Sequence, residues 1–191
     1  MIKAQVVINE IYDTDGDIVQ TGKPYHILPV VRRRGGGIAT ARTNANQACP
    51  LSVVQKSDTS DLGEPVVFYS KGKSTQNVTF STDMNVEFAS ANSCGESPVW
   101  TVKHDKATSS LSVGLGGMRM AKGPKFVNNW FRIERFFRRF HFDYKLNFCP
   151  TKTICPPCKV NCGDLGVVQA QGDAWRLLVG ASPLRIKFKK A

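Results

Sequence analysis

Helical periodicity is almost absent from these 191 residues, and long apolar runs are missing as well. No stretch approaches the ~18 consecutive apolar residues that a membrane-spanning helix requires. The first residues, MIKAQVVINEIYD, lack the uninterrupted apolar centre of a signal peptide, so the chain is expected to be either cytosolic or already processed. Histidine is scarce: His26, His104 and His141 lie far apart, with no nucleophile pattern beside any of them. The glycine-rich stretch GLGGMRMAKGP (114–124) lacks the Lys-Ser/Thr ending of a phosphate-binding loop. Asp13, Asp15 and Asp17 crowd one turn without the glycine and distal glutamate spacing of a calcium hand, so a capped turn is the reading. Catalysis is not expected, and neither is a cofactor or a metal.

What the sequence does contain is strand. Short alternating runs dominate: YHILPVV, IATAR, LSVVQ, PVVFY, NVTF, MNVEF, VWTVK, LSVGL, WFRIERF, YKLNF, VVQA, WRLLV and LRIKFKK. Clusters such as DTDG, RRRGGG, DLGEP and GDLG separate them. Many short strands at fairly even spacing predict an all-β antiparallel barrel or sandwich, and about a dozen strands suit a closed barrel capped by hairpins. With 41% hydrophobic residues and no linker, residues 1–191 are read as one domain with one core. An internal repeat is hinted at by Tyr25-His26-Ile27, Trp100-Thr101-Val102 and Tyr144-Lys145-Leu146, at unequal intervals. The net charge of +11 favours anionic partners without specifying one.

Six cysteines are present: Cys49, Cys94, Cys149, Cys155, Cys158 and Cys162. An even count predicts disulfides, with fifteen possible connectivities. Zinc is the rival reading, because Cys155-x-x-Cys158 resembles half of a zinc knuckle. The second, separated pair of a zinc ribbon is missing, and Cys49 and Cys94 would then have no role. Disulfides place the mature protein outside the reducing cytosol, with its signal peptide removed.

The N-terminal stretch IYDTDGDIVQTGKPYHILPVVRRRGGGIA resembles the signature of the plant Kunitz family, the soybean trypsin inhibitor type. CPLSVVQ, LGEPVVF, STDMNVEF, VWTV, NWFRIE, YKLNFCP and CGDLG follow in the family's order, from Ile11 to Lys190. The C-terminal cysteine cluster is most similar to the miraculin-like branch. The resemblance implies a β-trefoil: a six-stranded barrel capped by three hairpins with pseudo-threefold symmetry. It implies the bridges Cys49–Cys94 and Cys149–Cys162, the latter enclosing Cys155–Cys158. It also implies secretion or vacuolar storage in a plant, and a defence or storage role.

Inhibitory members of the family present a loop between the fourth and fifth strands as a substrate mimic. Here that loop comprises Lys71, Gly72, Lys73, Ser74, Thr75, Gln76 and Asn77. Lys71 and Lys73 are the basic candidates for the carboxylate-lined pocket of a trypsin-like serine protease, with the solvated loop lysine as the alternative. Counting back from Phe80 places the key residue at Asn77 instead. Asn77-Val78-Thr79 is also a glycosylation sequon. Thr21 stands where inhibitory members carry an asparagine that braces the loop. Protease inhibition is therefore weighed against a non-inhibitory defence, storage or recognition protein on the same fold. Inhibition of a cysteine protease through another loop is a third option.

Two basic stretches remain. RFFRRFHFD (135–143) reads as a hairpin tip, either a solvated turn or a basic-aromatic partner patch carried by Arg135, Arg138 and Arg139. Its arginines do not amount to a specific nucleic-acid site. It holds no cysteine, so a covalent dimer is not expected and a monomer is. Arg32, Arg33 and Arg34 precede Gly35-Gly36-Gly37, which reads as a mobile turn and not as a second protease-binding loop.

Overall fold

The computed structural model describes residues 9–31, 33–44, 46–70, 76–106, 108–137, 142–169 and 175–191. The described residues form twelve strands: β1 (Pro24–Pro29), β2 (Ile38–Asn44), β3 (Gln47–Gln55), β4 (Val66–Ser70), β5 (Met84–Phe88), β6 (Thr101–Asp105), β7 (Ser110–Gly114), β8 (Arg132–Arg135), β9 (Tyr144–Phe148), β10 (Gly163–Gln169), β11 (Trp175–Val179) and β12 (Ile186–Lys190). One short 3-10 turn, Val127–Asn129, precedes β8.

The pairing resolves into two sets. β12 pairs with β1, β1 with β4, β4 with β5, β8 with β9 and β9 with β12, all antiparallel. The ring closes between β5 and β8, where Met84 and Phe131 exchange both backbone hydrogen bonds at 2.9 and 2.8 Å. The remaining strands form the hairpins β2/β3, β6/β7 and β10/β11. Their members β3, β7 and β11 all pair with one another. A six-stranded barrel capped by a triangle of hairpins is the β-trefoil that the resemblance implies.

The sequence pattern explains these roles. β1, β9 and β12 alternate buried and half-exposed residues, as barrel strands with one face inward must. Inward residues include Tyr25, Ile27, Phe68, Val86, Phe131, Ile133, Tyr144 and Phe188, each 2% exposed or less. Aromatic rings fill the barrel: Phe68 meets Phe188 edge-on at 5.5 Å and Tyr144 stacks on Phe188 at 5.4 Å. β5 is buried along its whole length because a second layer covers its outer face. There the Asn85 amide donates to the Asn129 carbonyl at 2.8 Å and accepts the Met120 N–H at 2.6 Å. Glu87 receives two bonds from Arg119, whose guanidinium lies 4.0 Å over the Tyr69 ring. Burial, then the Glu87 charge, pushes the Tyr69 phenol up from its ordinary value.

The repeat hint needs correction. Strands recur in units of four, so β1, β5 and β9 are equivalent. Tyr25 and Tyr144 lie on two of them, but Trp100 sits immediately before β6. The equivalent strand of the second unit is MNVEF on β5, which has no aromatic at its start.

All six cysteines are paired as Cys49–Cys94, Cys149–Cys162 and Cys155–Cys158. Cys155 is buried with Val127, Trp130 and Ile154 in a small satellite core. The loop-entropy model assigns about 4 kcal/mol to Cys49–Cys94 and about 3 kcal/mol to Cys149–Cys162. Urea unfolding is therefore expected to show a loss of about 4 kcal/mol for Cys49→Ser/Cys94→Ser. Cys155→Ser/Cys158→Ser is expected to cost less but to red-shift Trp130 emission, because it loosens the satellite core.

Candidate functional site

Lys71 to Thr75 lie outside the described residues, as do Arg138 and Arg139. Gln76 and Asn77 are described, and they show how the β4–β5 connection returns to the barrel. Thr21 donates its backbone N–H to the Gln76 carbonyl at 2.7 Å, and its hydroxyl approaches the same oxygen at 3.4 Å. Val78 donates to the Val19 carbonyl at 2.8 Å, and the Val78 carbonyl accepts from Ile11 at 3.2 Å. Phe80 donates to the Asn9 carbonyl at 3.0 Å. The limb from Gln76 to Phe80 thus lies between two N-terminal segments, bridged by the pairs Gln20–Asn77 and Glu10–Thr79.

The run NVTF, which reads as a strand, is a set of isolated bridges. Its side chains still alternate: Val78 is fully buried and belongs to the main core, while Asn77 and Thr79 are half-exposed. Burial of Val78 bears directly on the count from Phe80. The residue that would follow a cut after Asn77 is thus one whose side chain is held in the core.

The N-terminal brace is itself held from below. The Tyr25 hydroxyl on β1 accepts the Gln20 N–H at 3.0 Å, and the Tyr144 hydroxyl on β9 accepts the Tyr12 N–H at 2.9 Å. Both rings are buried. Burial raises the Tyr144 phenol above its ordinary value, while the Tyr12 N–H works in the opposite direction. Neither hydroxyl was picked out from the sequence. The available signal was tyrosine, not phenylalanine, at an inward position of a barrel strand.

Asp13 caps the turn below this brace, as the capped-turn reading expects. Its Oδ1 accepts the N–H groups of Asp15 and Asp17 at 2.9 and 3.0 Å. The Lys190 ammonium lies among the three carboxylates, bonded to Asp17 and 3.4 and 3.6 Å from Asp13 and Asp15. Its hydrogen bond to Asp17 raises the Lys190 pKa well above the usual lysine value, and the same pairing lowers that of Asp17.

The basic-aromatic hairpin lies beside the same limb. Arg135 stacks over the Phe80 ring at 4.6 Å, Ser81 donates its hydroxyl to Glu134 at 2.9 Å, and Phe142 meets Tyr12 edge-on at 6.1 Å. Arg135 is half-buried, whereas Phe137 and Phe142 are 46% and 55% exposed. Phe136 is half-buried, and Arg185 lies over the Phe136 and Phe137 rings at 5.9 and 5.4 Å.

The family described as trypsin and protease inhibitor, the legume Kunitz type, matches residues 11–190. The chain belongs to the legume-type Kunitz family. This Kunitz chain is 36% identical to miraculin from Synsepalum dulcificum, over 95% of its own length and 83% of that protein. It is 34% identical to Kunitz trypsin inhibitor 5 from Arabidopsis thaliana, over 100% and 90% of the two chains. Among solved structures, a Kunitz-type cysteine protease inhibitor from potato superposes with a TM-score of 0.81 at 32% identity, covering 97% of this chain and 98% of that one.

Removing the Tyr144 hydroxyl leaves the Tyr12 N–H without its acceptor. Tyr144→Phe is expected to lower stability by about 1–3 kcal/mol in urea unfolding at neutral pH. A phenol whose folded pKa lies above its unfolded value of about 10 costs stability as pH rises past that value. The decline above about pH 10 should therefore be shallower in Tyr144→Phe than in the wild type.

Proposed function

We propose that this Kunitz-family chain is a secreted or vacuolar plant protease inhibitor that offers the β4–β5 loop, Lys71 to Asn77, to a trypsin-like serine protease. The observation that carries this reading is the double-sided backbone ladder on Gln76 to Phe80. A loop whose returning limb is already fastened loses little conformational entropy when an enzyme grips it. The same ladder would keep the distal end in place after a cut, so the cleaved bond stays near its partner.

Within the loop, lysine chemistry and the burial of Val78 favour a contact upstream of Asn77. A lysine side chain carries the charge that a trypsin-like pocket pairs with, which asparagine does not. Lys73 is the preferred residue, being nearer the loop's centre and beyond Gly72. The family's inhibitory and non-enzymatic members accord with a role by binding and not by catalysis. The similarity to a potato cysteine protease inhibitor makes papain a necessary comparison.

A second reading has one observation in its favour. Phe137 and Phe142 are exposed, and Phe142 meets Tyr12 of the N-terminal segment that flanks the limb. In a non-inhibitory recognition protein the loop would be idle, and Phe137 and Phe142 would form the contact surface instead.

Titration of trypsin, chymotrypsin, subtilisin and papain with the protein, read as residual activity, separates these readings. Stoichiometric inhibition of trypsin is expected. Lys73→Ala should weaken it roughly thirtyfold to several-thousandfold, since a desolvated charge pair loses about 2–5 kcal/mol when one side is truncated. Lys71→Ala should have the smaller effect. Cleavage after either lysine without inhibition would make the loop a substrate, and no effect on trypsin would favour the recognition protein.

A further inference from the structure

Away from the β4–β5 limb, a groove of about 520 Å³ opens between the β1–β2 loop, the end of β3, the β10/β11 hairpin and the β11–β12 loop. Its volume falls in the range of small-molecule sites, roughly 300–1,000 Å³. Val167, Leu184 and Trp175 provide apolar wall, while Arg33, Arg34 and Lys56 stand along the rim. It shares no lining residue with Gln76 to Phe80.

Trp175 is 37% exposed, whereas Trp100 and Trp130 are fully buried. An indole left partly in water at the mouth of a groove is a ready stacking surface. The guanidinium groups of Arg33 and Arg34 meet no carboxylate among the described residues. The neighbouring acids are engaged elsewhere: Asp58 accepts from the Ser60 N–H and hydroxyl at 2.8 and 2.7 Å, and Asp61 accepts from Gly63 and lies 3.5 Å from Lys56.

The loop that carries these arginines is fastened, contrary to the mobile turn expected from its glycines. Gly36 donates to Lys56 at 2.7 Å, Gly37 to Asp61 at 2.8 Å, and Lys56 back to Gly37 at 2.9 Å. The buried Gln55 amide donates to the carbonyls of Arg34 and Gly36 at 2.8 and 3.1 Å. A Cβ on Gly36 or Gly37 would lie 2.2 or 1.9 Å from a backbone oxygen, so the glycines serve close backbone packing. The pinned backbone roots Arg33 and Arg34 on the groove that Trp175 also lines.

We propose that this groove binds a small organic acid, a single carboxylate, sulfate or sulfonate on a flat apolar body, with the anion on Arg33 and Arg34 and the body against Trp175. Two planar cations that meet no carboxylate among the described residues, beside an apolar wall, complement that chemistry and disfavour a cationic guest.

Anilinonaphthalene sulfonate is a suitable probe, with its uncharged counterpart N-phenylnaphthylamine as the control. Saturable binding at one probe per chain, with quenching of the exposed part of the tryptophan emission, is expected. Arg33→Gln/Arg34→Gln should weaken binding roughly tenfold or more. Trp175→Ala should weaken it too, and Lys125→Gln should leave it unchanged. The blue-shifted emission of Trp100 and Trp130 reports that each variant is folded. Equal binding of the uncharged probe, unsaturable binding, or no effect of the arginine changes would overturn the proposal. Displacement of the probe by polyglutamate at lower concentration than by naphthalene sulfonate would also overturn it, in favour of an acidic protein partner.

Discussion

The closure of the six-stranded barrel between β5 and β8 is the constraint on which the rest of this structure depends. The two hydrogen bonds exchanged by Met84 and Phe131 turn an open sheet into a ring with no free edge. Phe131 is also part of the aromatic filling, meeting Trp100 at 6.1 Å and Phe148 at 6.0 Å. One residue therefore joins the backbone seam to the core. The buried charges near it reinforce the seam: Asp83, just before β5, accepts from Arg132 on β8 at 3.0 Å and from the Thr151 hydroxyl.

Polar groups on the barrel carry that rigidity outward. The hydroxyls of Tyr25 and Tyr144 rise from inward positions to hold the backbone at Gln20 and Tyr12. The N-terminal segments so held supply the ladder on which Gln76 to Phe80 rests. A loop that acted as the substrate mimic proposed above would need such support, because an unsupported loop loses more entropy on binding. Phe142 of the β8–β9 hairpin adjoins the same N-terminal segment through Tyr12, which leaves an exposed apolar flank beside the limb.

The trefoil places a second feature elsewhere. The β1–β2 loop, the end of β3, the β10/β11 hairpin and the β11–β12 loop meet around Trp175, with arginines that meet no carboxylate among the described residues on a loop that its glycines allow to pack tightly. Net positive charge is thus unevenly used. Some cations are consumed in buried pairs, such as Arg176 with Asp105 at 2.7 Å, and others are left facing a concave surface.

Strand positions were legible because period-two alternation is a local property. Twelve of the thirteen alternating runs became strands, and NVTF became bridges because its neighbours on both sides are irregular segments. Cysteine pairing was legible through resemblance, since those motifs keep their order along the chain. The repeat hint fails at Trp100, which stands immediately before β6 and not on the strand equivalent to β1 and β9. The sequence by itself determined the all-β class, the oxidised cysteines and the segment that returns past Thr21. Only the tertiary structure decided that Val78 belongs to the core, that two tyrosine hydroxyls hold the N-terminal segments beside it, and that Arg33, Arg34 and Trp175 line one groove. Those are contacts between residues far apart in the chain, and no local pattern encodes which distant backbone group a side chain will meet.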